Sequence, residues 1–133
     1  MAYESKYGKD EDTQRMDYIH TEAHQMLYDL SLYLHEKVKG MPHHEKFVLQ
    51  MEIRQTIDEL LDELEEYEIA RTVSHLYRAD RLKRKLVRKI RTAHDLKYST
   101  FNNRVYRYCS KELECIGGAI GGLIKSAQAE KKK

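Results

Sequence analysis

The chain has 133 residues, a net charge of +2, one proline and six glycines. This length suits one domain, and the composition argues against β-sandwiches, β-barrels and extended disorder. An all-α fold is the expected class.

The sequence shows no membrane-spanning or secretory segment. No apolar run approaches the roughly 20 residues that a transmembrane helix needs. The first twelve residues are polar and of mixed charge, unlike a signal peptide. We therefore expect a cytoplasmic protein that does not enter a membrane.

The first predicted helix begins at Asp12 or Thr13, either of which offers an N-cap, and ends at Gly40. Residues 1–11 lack periodicity and are expected to form a disordered leader. From residue 16 onward, apolar side chains recur at the three-and-four spacing of one helical face. They are Met16, Ile19, Ala23, Met26, Leu27, Leu30, Tyr33, Leu34 and Val38.

The second predicted helix covers residues 42–71, with Pro42 in its first turn, where a missing N–H costs nothing. The third begins near Thr72 or Ser74. Their inward-facing residues are Phe47, Ile53, Ile57, Leu60, Leu61, Leu64 and Tyr67 in the second helix and Ala79, Leu82, Leu86, Ile90 and Ala93 in the third.

The junction between the second and third helices carries neither glycine nor proline, so one long helix is the alternative. Glu68, Arg71 and His75 occupy core positions of the helical repeat there. An unbroken helix would also reach about 80 Å at 1.5 Å per residue. The pattern therefore favours a break.

The fourth predicted helix is capped by Ser99 or Thr100. Its apolar stripe is Phe101, Val105, Cys109, Leu113, Ile116, Ile120 and Leu123. Four helices with short connections predict an up-down antiparallel four-helix bundle over residues 12–127, followed by a basic tail over residues 128–133.

Four glycines lie within the segment from Ile116 to Leu123 of the fourth predicted helix. Each glycine inside a helix costs about 1 kcal/mol relative to alanine. Close approach of another helix backbone would offset this cost, and a flexible helix end is the alternative. The segment lacks the strand, lysine and hydroxyl of a phosphate-binding loop.

Charge is segregated between the second and third helices. Residues 45–68 contain nine acidic and two basic residues, whereas residues 78–97 contain nine basic and two acidic residues. One helix therefore presents a concentrated positive field of the kind that attracts phosphate backbones. The alternative is that the two helices neutralise each other, within one molecule or between copies.

The candidate nucleic-acid site is the polar face of the third helix, extended by a basic face on the fourth. Arginine predominates, and its planar guanidinium binds phosphate at two points. Tyr98, Tyr106 and Tyr108 are candidates for stacking on bases. The candidate binding residues are Arg81, Arg84, Lys85, Arg88, Arg91, Arg104, Arg107 and Lys111, with Lys83 and Lys89 flanking them.

The sequence predicts neither a metal site nor catalysis. His20 and His24 lie one turn apart around Glu22, but zincins need the glutamate immediately after the first histidine, so we favour a structural role. Cys109 and Cys115 lie on different faces of one helix and are expected to be reduced, buried or half-buried thiols. No cofactor is expected.

Several short motifs, in this order, resemble a small bacterial four-helix bundle family. They are Gly40-Met-Pro42, Glu45-Lys-Phe-Val-Leu49, Glu52-Ile-Arg54, Leu76-Tyr77, Glu114-Cys-Ile-Gly117 and Gly121-Gly-Leu-Ile-Lys125. The family includes Avd, the accessory variability determinant of diversity-generating retroelements. It also includes bundle proteins encoded within intervening sequences of 23S rRNA genes. Leu123 stands where members often have tryptophan, so the resemblance does not choose between Avd and the intervening-sequence proteins.

The resemblance implies a homopentamer with a positively charged surface. It also implies that the protein binds a reverse transcriptase and its template RNA and supports error-prone cDNA synthesis. The leading interpretation is thus a non-enzymatic nucleic-acid-binding accessory protein. The alternative is a structural interaction protein whose charged faces mediate oligomerisation.

Overall fold

The computed structural model describes residues 21–39 and 43–131, of which the side chains at positions 38, 43–48 and 131 are not described. The elements are α1 (Glu22–Lys39), α2 (His43–Ala70), α3 (Val73–Asp95), a 3-10 turn (Ser99–Phe101) and α4 (Asn103–Lys131). Consecutive helices pack together, and α1 packs against α4, which closes the bundle. The all-α up-down antiparallel four-helix bundle is therefore confirmed.

The start of α1 is capped by Thr21. The Thr21 hydroxyl accepts a hydrogen bond from the backbone N–H of His24 at 3.2 Å, which satisfies one of the unpaired donors of the first turn. The backbone N–H of Thr21 also donates to Glu68 Oε1 of α2 at 3.0 Å. The helix therefore begins at Glu22, and the predicted caps Asp12 and Thr13, like the predicted leader, lie outside the described residues.

The predicted break between α2 and α3 is confirmed, and a two-residue turn forms it. Arg71 adopts a left-handed conformation with φ of 57°, and its N–H donates to the Tyr67 carbonyl at 2.8 Å. This is the single hydrogen bond of a left-handed helix cap, a position that usually takes glycine. The Arg71 guanidinium lies 5.6 Å from the centre of the Tyr67 ring, a contact that glycine cannot make.

The C-terminus of α3 ends in a Schellman motif. The N–H of Tyr98 donates to the Ala93 carbonyl at 3.1 Å, and the N–H of Lys97 donates to the His94 carbonyl at 2.9 Å. Lys97 occupies the left-handed position, with φ of 61°. A β-carbon is strained in this conformation, so α3 ends at some energetic cost.

The predicted cap of the fourth helix is wrong. Ser99 and Thr100 belong to the separate 3-10 turn, and Asn102 caps α4 because its Oδ1 accepts from the Val105 N–H at 3.0 Å. An asparagine side chain forms this bond readily from extended backbone, which Asn102 adopts. The helix starts at Asn103, two or three residues later than predicted.

The core follows the predicted stripes of all four helices. Leu61, Leu82 and Leu123 are half-buried and pack against its edge, and Leu76 joins it. Phe47 and Val38 lie outside the described side chains. The predicted residues that are buried are Ala23, Leu27, Leu30, Leu34, Ile53, Ile57, Leu60, Leu64, Tyr67, Ala79, Leu86, Ile90, Ala93, Phe101, Val105, Cys109, Leu113, Ile116 and Ile120.

Among the described residues, no other helix backbone approaches the glycines of α4, so close approach of a helix stays a prediction. A β-carbon at Gly117 would lie 3.0 Å from the Nζ atom of Lys83, the mobile end of a side chain. A β-carbon at Gly118, Gly121 or Gly122 would meet no atom of the described residues within 4 Å.

The helix α4 continues to Lys131, beyond the predicted end of the bundle. The Gln128 amide donates to the hydroxyl of Tyr77 on α3 at 3.0 Å, and Ala127 packs against the core. These contacts anchor the last turns, so residues 128–131 of the predicted tail are helical.

Candidate nucleic-acid interface

Part of the opposite charge on α2 and α3 is neutralised across their interface. Glu63 accepts from the Arg78 Nε at 3.2 Å and lies 2.8 Å from the His75 Nδ1 atom. About three helical turns further along the same interface, Lys89 of α3 pairs with Glu52 of α2. On the flank of α3 that faces α2, the two helices therefore neutralise each other in part, as the alternative interpretation of the charge pattern expects.

Glu63 is the carboxyl group most affected by this pairing. Burial of the carboxyl group raises its pKa, but hydrogen bonds from His75 and Arg78 more than reverse the effect, so the pKa lies below the ordinary 4.5. A carboxylate that accepts two hydrogen bonds from basic groups is stabilised in its charged form. Glu63 therefore remains ionised and holds the two helices together.

The outward side of α3 forms a basic face, defined here as Arg81, Arg84, Lys85, Arg88 and Arg91. All five side chains are exposed, as predicted from the helical repeat. Local carboxylates reach two of them: Arg84 lies 3.5 Å from Asp80, and Arg91 lies 3.5 Å from Asp95. Surface pairs four residues apart contribute little and exchange readily with other anions.

The other three members of the basic face have no carboxylate within 4.0 Å among the described residues. Arg81, Lys85 and Arg88 follow one another at the three-and-four spacing of adjacent turns. With Arg84 and the edge of Leu82 they line one surface groove. Four cationic side chains thus converge on a groove that is open to solvent, an arrangement that suits phosphate oxygens.

An acidic rim borders the basic face on the side of α2. Arg81 and Leu82 also line a second groove, whose opposite wall contains Glu59 and Asp62. These carboxylates repel a polyanion, as expected from their charge. A nucleic acid on α3 would therefore lie toward solvent and away from α2.

The predicted basic residues of α4 form a separate set. Arg104, Arg107 and Lys111 are all exposed. Burial raises the pKa of Tyr33 on α1 above 10.0, and the positive charge of Arg104 partly opposes this rise. No hydrogen bond or ion pair in the described part of the chain joins these three residues to the basic face of α3.

The three tyrosines predicted as stacking surfaces are half-buried and pack against the core. The Tyr108 ring lies 4.3 Å from the Tyr33 ring, and the Tyr106 ring stacks on His94 with the same centroid distance. Tyr98 lines a hollow at the connection between α3 and α4. Their first role is therefore to pack the helices together.

Two pairings within α3 can be read from residue spacing, although the sequence interpretation did not include them. Asp80 lies four residues before Arg84, and Asp95 lies four residues after Arg91. The spacing of four on a helix is the signal for such pairs. The flanking Lys89 pairs with Glu52, and Lys83 lies against Gly117 of α4.

His24, Cys109 and Cys115 differ in their exposure to solvent. His24 is buried, and its Nε2 atom lies 3.0 Å from Glu65 Oε1, whereas His20 lies outside the described residues. The described residues contain no group of three or more histidine, cysteine or acidic side chains that suits a metal ion. Cys109 is buried, but Cys115 is exposed rather than half-buried. Burial raises the pKa of Cys109 to about 12.

Comparisons with known proteins leave the family open. The chain matches no protein-family model, and it shows no significant similarity to a curated protein or to a solved structure. Within residues 21–39 and 43–131, no helix combines the length and apolar character needed to cross a membrane. The resemblance to the Avd and 23S rRNA intervening-sequence bundles therefore rests on the sequence motifs alone.

Proposed function

We propose that the protein is a non-enzymatic nucleic-acid-binding accessory protein that binds RNA phosphates on the basic face of α3. The observation that carries the proposal is the groove lined by Arg81, Arg84, Lys85 and Arg88. Three of these four have no ion-pair partner among the described residues. Phosphate contacts of this kind position a nucleic acid without reading its sequence.

The proposal extends to an Avd-type role in the cytoplasm. In that role the protein is a homo-oligomer, a pentamer by resemblance, that binds the reverse transcriptase and template RNA of a diversity-generating retroelement. It would support the mutagenic synthesis of cDNA. The order of the sequence motifs, the four-helix architecture and the exposed basic face support this assignment.

Charge reversal on α3 tests the proposal against a matched change on α4. One variant replaces Arg81, Arg84 and Arg88 by glutamate, and the control replaces Arg104, Arg107 and Lys111 by glutamate. Both variants change the net charge by the same amount on exposed positions. We expect the first to lose RNA binding in a filter or anisotropy assay while circular dichroism shows an intact bundle. Equal affinity of the α3 variant and the unaltered protein would refute the proposal.

The second candidate is a structural interaction protein of the 23S rRNA intervening-sequence type. The ion pairs Arg78–Glu63 and Lys89–Glu52 favour it, because they show that opposite charges already join helices. Asp58, Asp62 and Glu66 are exposed and could pair with the basic face of another copy. This function predicts that salt dissociates an oligomer, measured by sedimentation, and that the purified protein carries no nucleic acid.

A further inference from the structure

A hollow of about 540 Å³ lies at the connection between α3 and α4. Its volume is within the range of roughly 300 to 1,000 Å³ that is typical of small-molecule sites. Its lining includes His94, Asp95, Lys97, Ser99 and Asn102. The function proposed above does not use this hollow.

The hollow adjoins the end of the basic face. Arg91, the last member of that face, lies 3.5 Å from Asp95, which lines the hollow. From Arg81 to Asp95 the helix rises about 21 Å at 1.5 Å per residue. A strand whose phosphates follow α3 would therefore reach the hollow at the C-terminal end of the helix.

The His94 ring forms one wall of the hollow. Its Nε2 atom lies 2.7 Å from Asn103 Oδ1 and its Nδ1 atom lies 3.4 Å from Asp95 Oδ1, and a neutral imidazole donates to one of these two oxygens. Tyr106 stacks on the same ring at 4.3 Å with an interplanar angle of 21°. The half-buried Tyr98 ring and the buried Phe101 ring add further apolar lining. Rigid aromatic surfaces of this kind stack on unpaired bases.

The polar groups of the hollow match the edge and the phosphate of a nucleotide. The Asp95 carboxylate can accept from the exocyclic amino group of a base. Lys97 is exposed beside it and can pair with a phosphate. Asn102 uses its Oδ1 to cap α4, which leaves its amide N–H groups as donors.

We propose that this hollow binds a single unpaired nucleotide of an RNA whose phosphates lie along α3. This inference rests on the proposed function and adds a base-binding position to it. The base stacks in the hollow against the His94 wall, its amino group donates to Asp95, and Lys97 neutralises the adjoining phosphate.

Measuring the affinity of each variant for two ligands, one with bases and one without, isolates the contribution of the base. The ligands are a short oligoadenylate and a fully abasic strand of the same length. Ser99→Leu fills the hollow from an exposed position, and Ser110→Leu is the control on the exposed side of α4. Lys97→Gly is a second test, because it removes the ammonium group while relieving the strained backbone at φ of 61°.

We expect Ser99→Leu to weaken binding of oligoadenylate about tenfold, the size of one lost stacking contact, and to leave binding of the abasic strand unchanged. Ser110→Leu should change neither affinity, and Lys97→Gly should weaken both, since it removes a phosphate contact. Equal affinity of Ser99→Leu and the unaltered protein for oligoadenylate would overturn the hollow as a base site and leave the proposed function intact. Failure of the unaltered protein to bind either strand would overturn the proposed function itself.

Discussion

The Arg78 guanidinium lies 3.2 Å from the Glu63 carboxylate across the interface between α2 and α3. One turn later on α3, Arg81 has no carboxylate within 4.0 Å among the described residues. The basic helix thus divides into a flank that holds the bundle together and an outward face that is available to other anions.

Replacing Glu63 by glutamine should make the bundle less stable at neutral pH, by about 1 to 2 kcal/mol, because two charge-assisted hydrogen bonds are lost. The pKa of Glu63 is lowered in the folded state, so its stabilisation is fully present above the unfolded value near 4.5 and is lost as pH falls through the folded value. Urea unfolding should therefore show that the variant has the lower free energy of unfolding at pH 7. This difference should disappear at acidic pH. A difference that grows below pH 4.5 would contradict this assignment.

Lys97→Gly should raise the free energy of unfolding by about 1 kcal/mol, because glycine occupies the left-handed cap of α3 without strain. Arg71→Gly should raise the free energy of unfolding by a smaller amount, because it also removes the contact with the Tyr67 ring. Urea denaturation of the two variants side by side tests both statements. Destabilisation by Lys97→Gly would show that the lysine side chain contributes more than the strain costs.

Gly118→Ala and Gly122→Ala should each stabilise the protomer by up to about 1 kcal/mol, because alanine favours helix and the added β-carbon meets no atom of residues 21–39 or 43–131 within 4 Å. Gly117→Ala should change stability little, since the mobile end of Lys83 must move aside. Thermal unfolding and sedimentation should be measured together. Dissociation of an oligomer by Gly118→Ala would instead show that a second copy covers the glycine face.

Cys115 should react with a thiol reagent in the native protein at neutral pH, and Cys109 should react only after unfolding. Cys115 is exposed, whereas burial of Cys109 raises its pKa to about 12 and blocks access. Quantifying the thiols that react before and after addition of denaturant checks this. A folded Cys115→Ser variant should not react with the thiol reagent. Rapid labelling of that folded variant would contradict the buried position of Cys109.

The helical repeat was sufficient to predict the core, because burial of one face is a local property of each helix. Ile53, Ile57 and Leu86 lie where the three-and-four spacing places them. The polar residues Glu68 and Arg71 in the core phase likewise predicted the break after α2. The buried face of each helix and the break after α2 depend only on the sequence of the helix concerned.

The remaining features depend on tertiary structure and could not be read from spacing. Arg78 and Arg81 lie one turn apart on the same basic helix, and only the position of α2 decides that Arg78 meets Glu63. The left-handed conformation of Lys97 lacks the usual glycine signal. Which helices neighbour α4 decides that Gly118 meets no atom of the described residues within 4 Å of an added β-carbon.

The dependence of RNA affinity on salt tests the central claim most directly. For single strands, the logarithm of affinity falls with the logarithm of salt concentration with a slope of about −0.7 for each phosphate neutralised. Replacing Arg81, Arg84 and Arg88 by glutamine should therefore flatten the slope by about 2, whereas glutamine at Arg104, Arg107 and Lys111 should leave it nearly unchanged. A slope that is the same for the α3 variant and the unaltered protein would contradict the account, because the phosphates would then lie elsewhere.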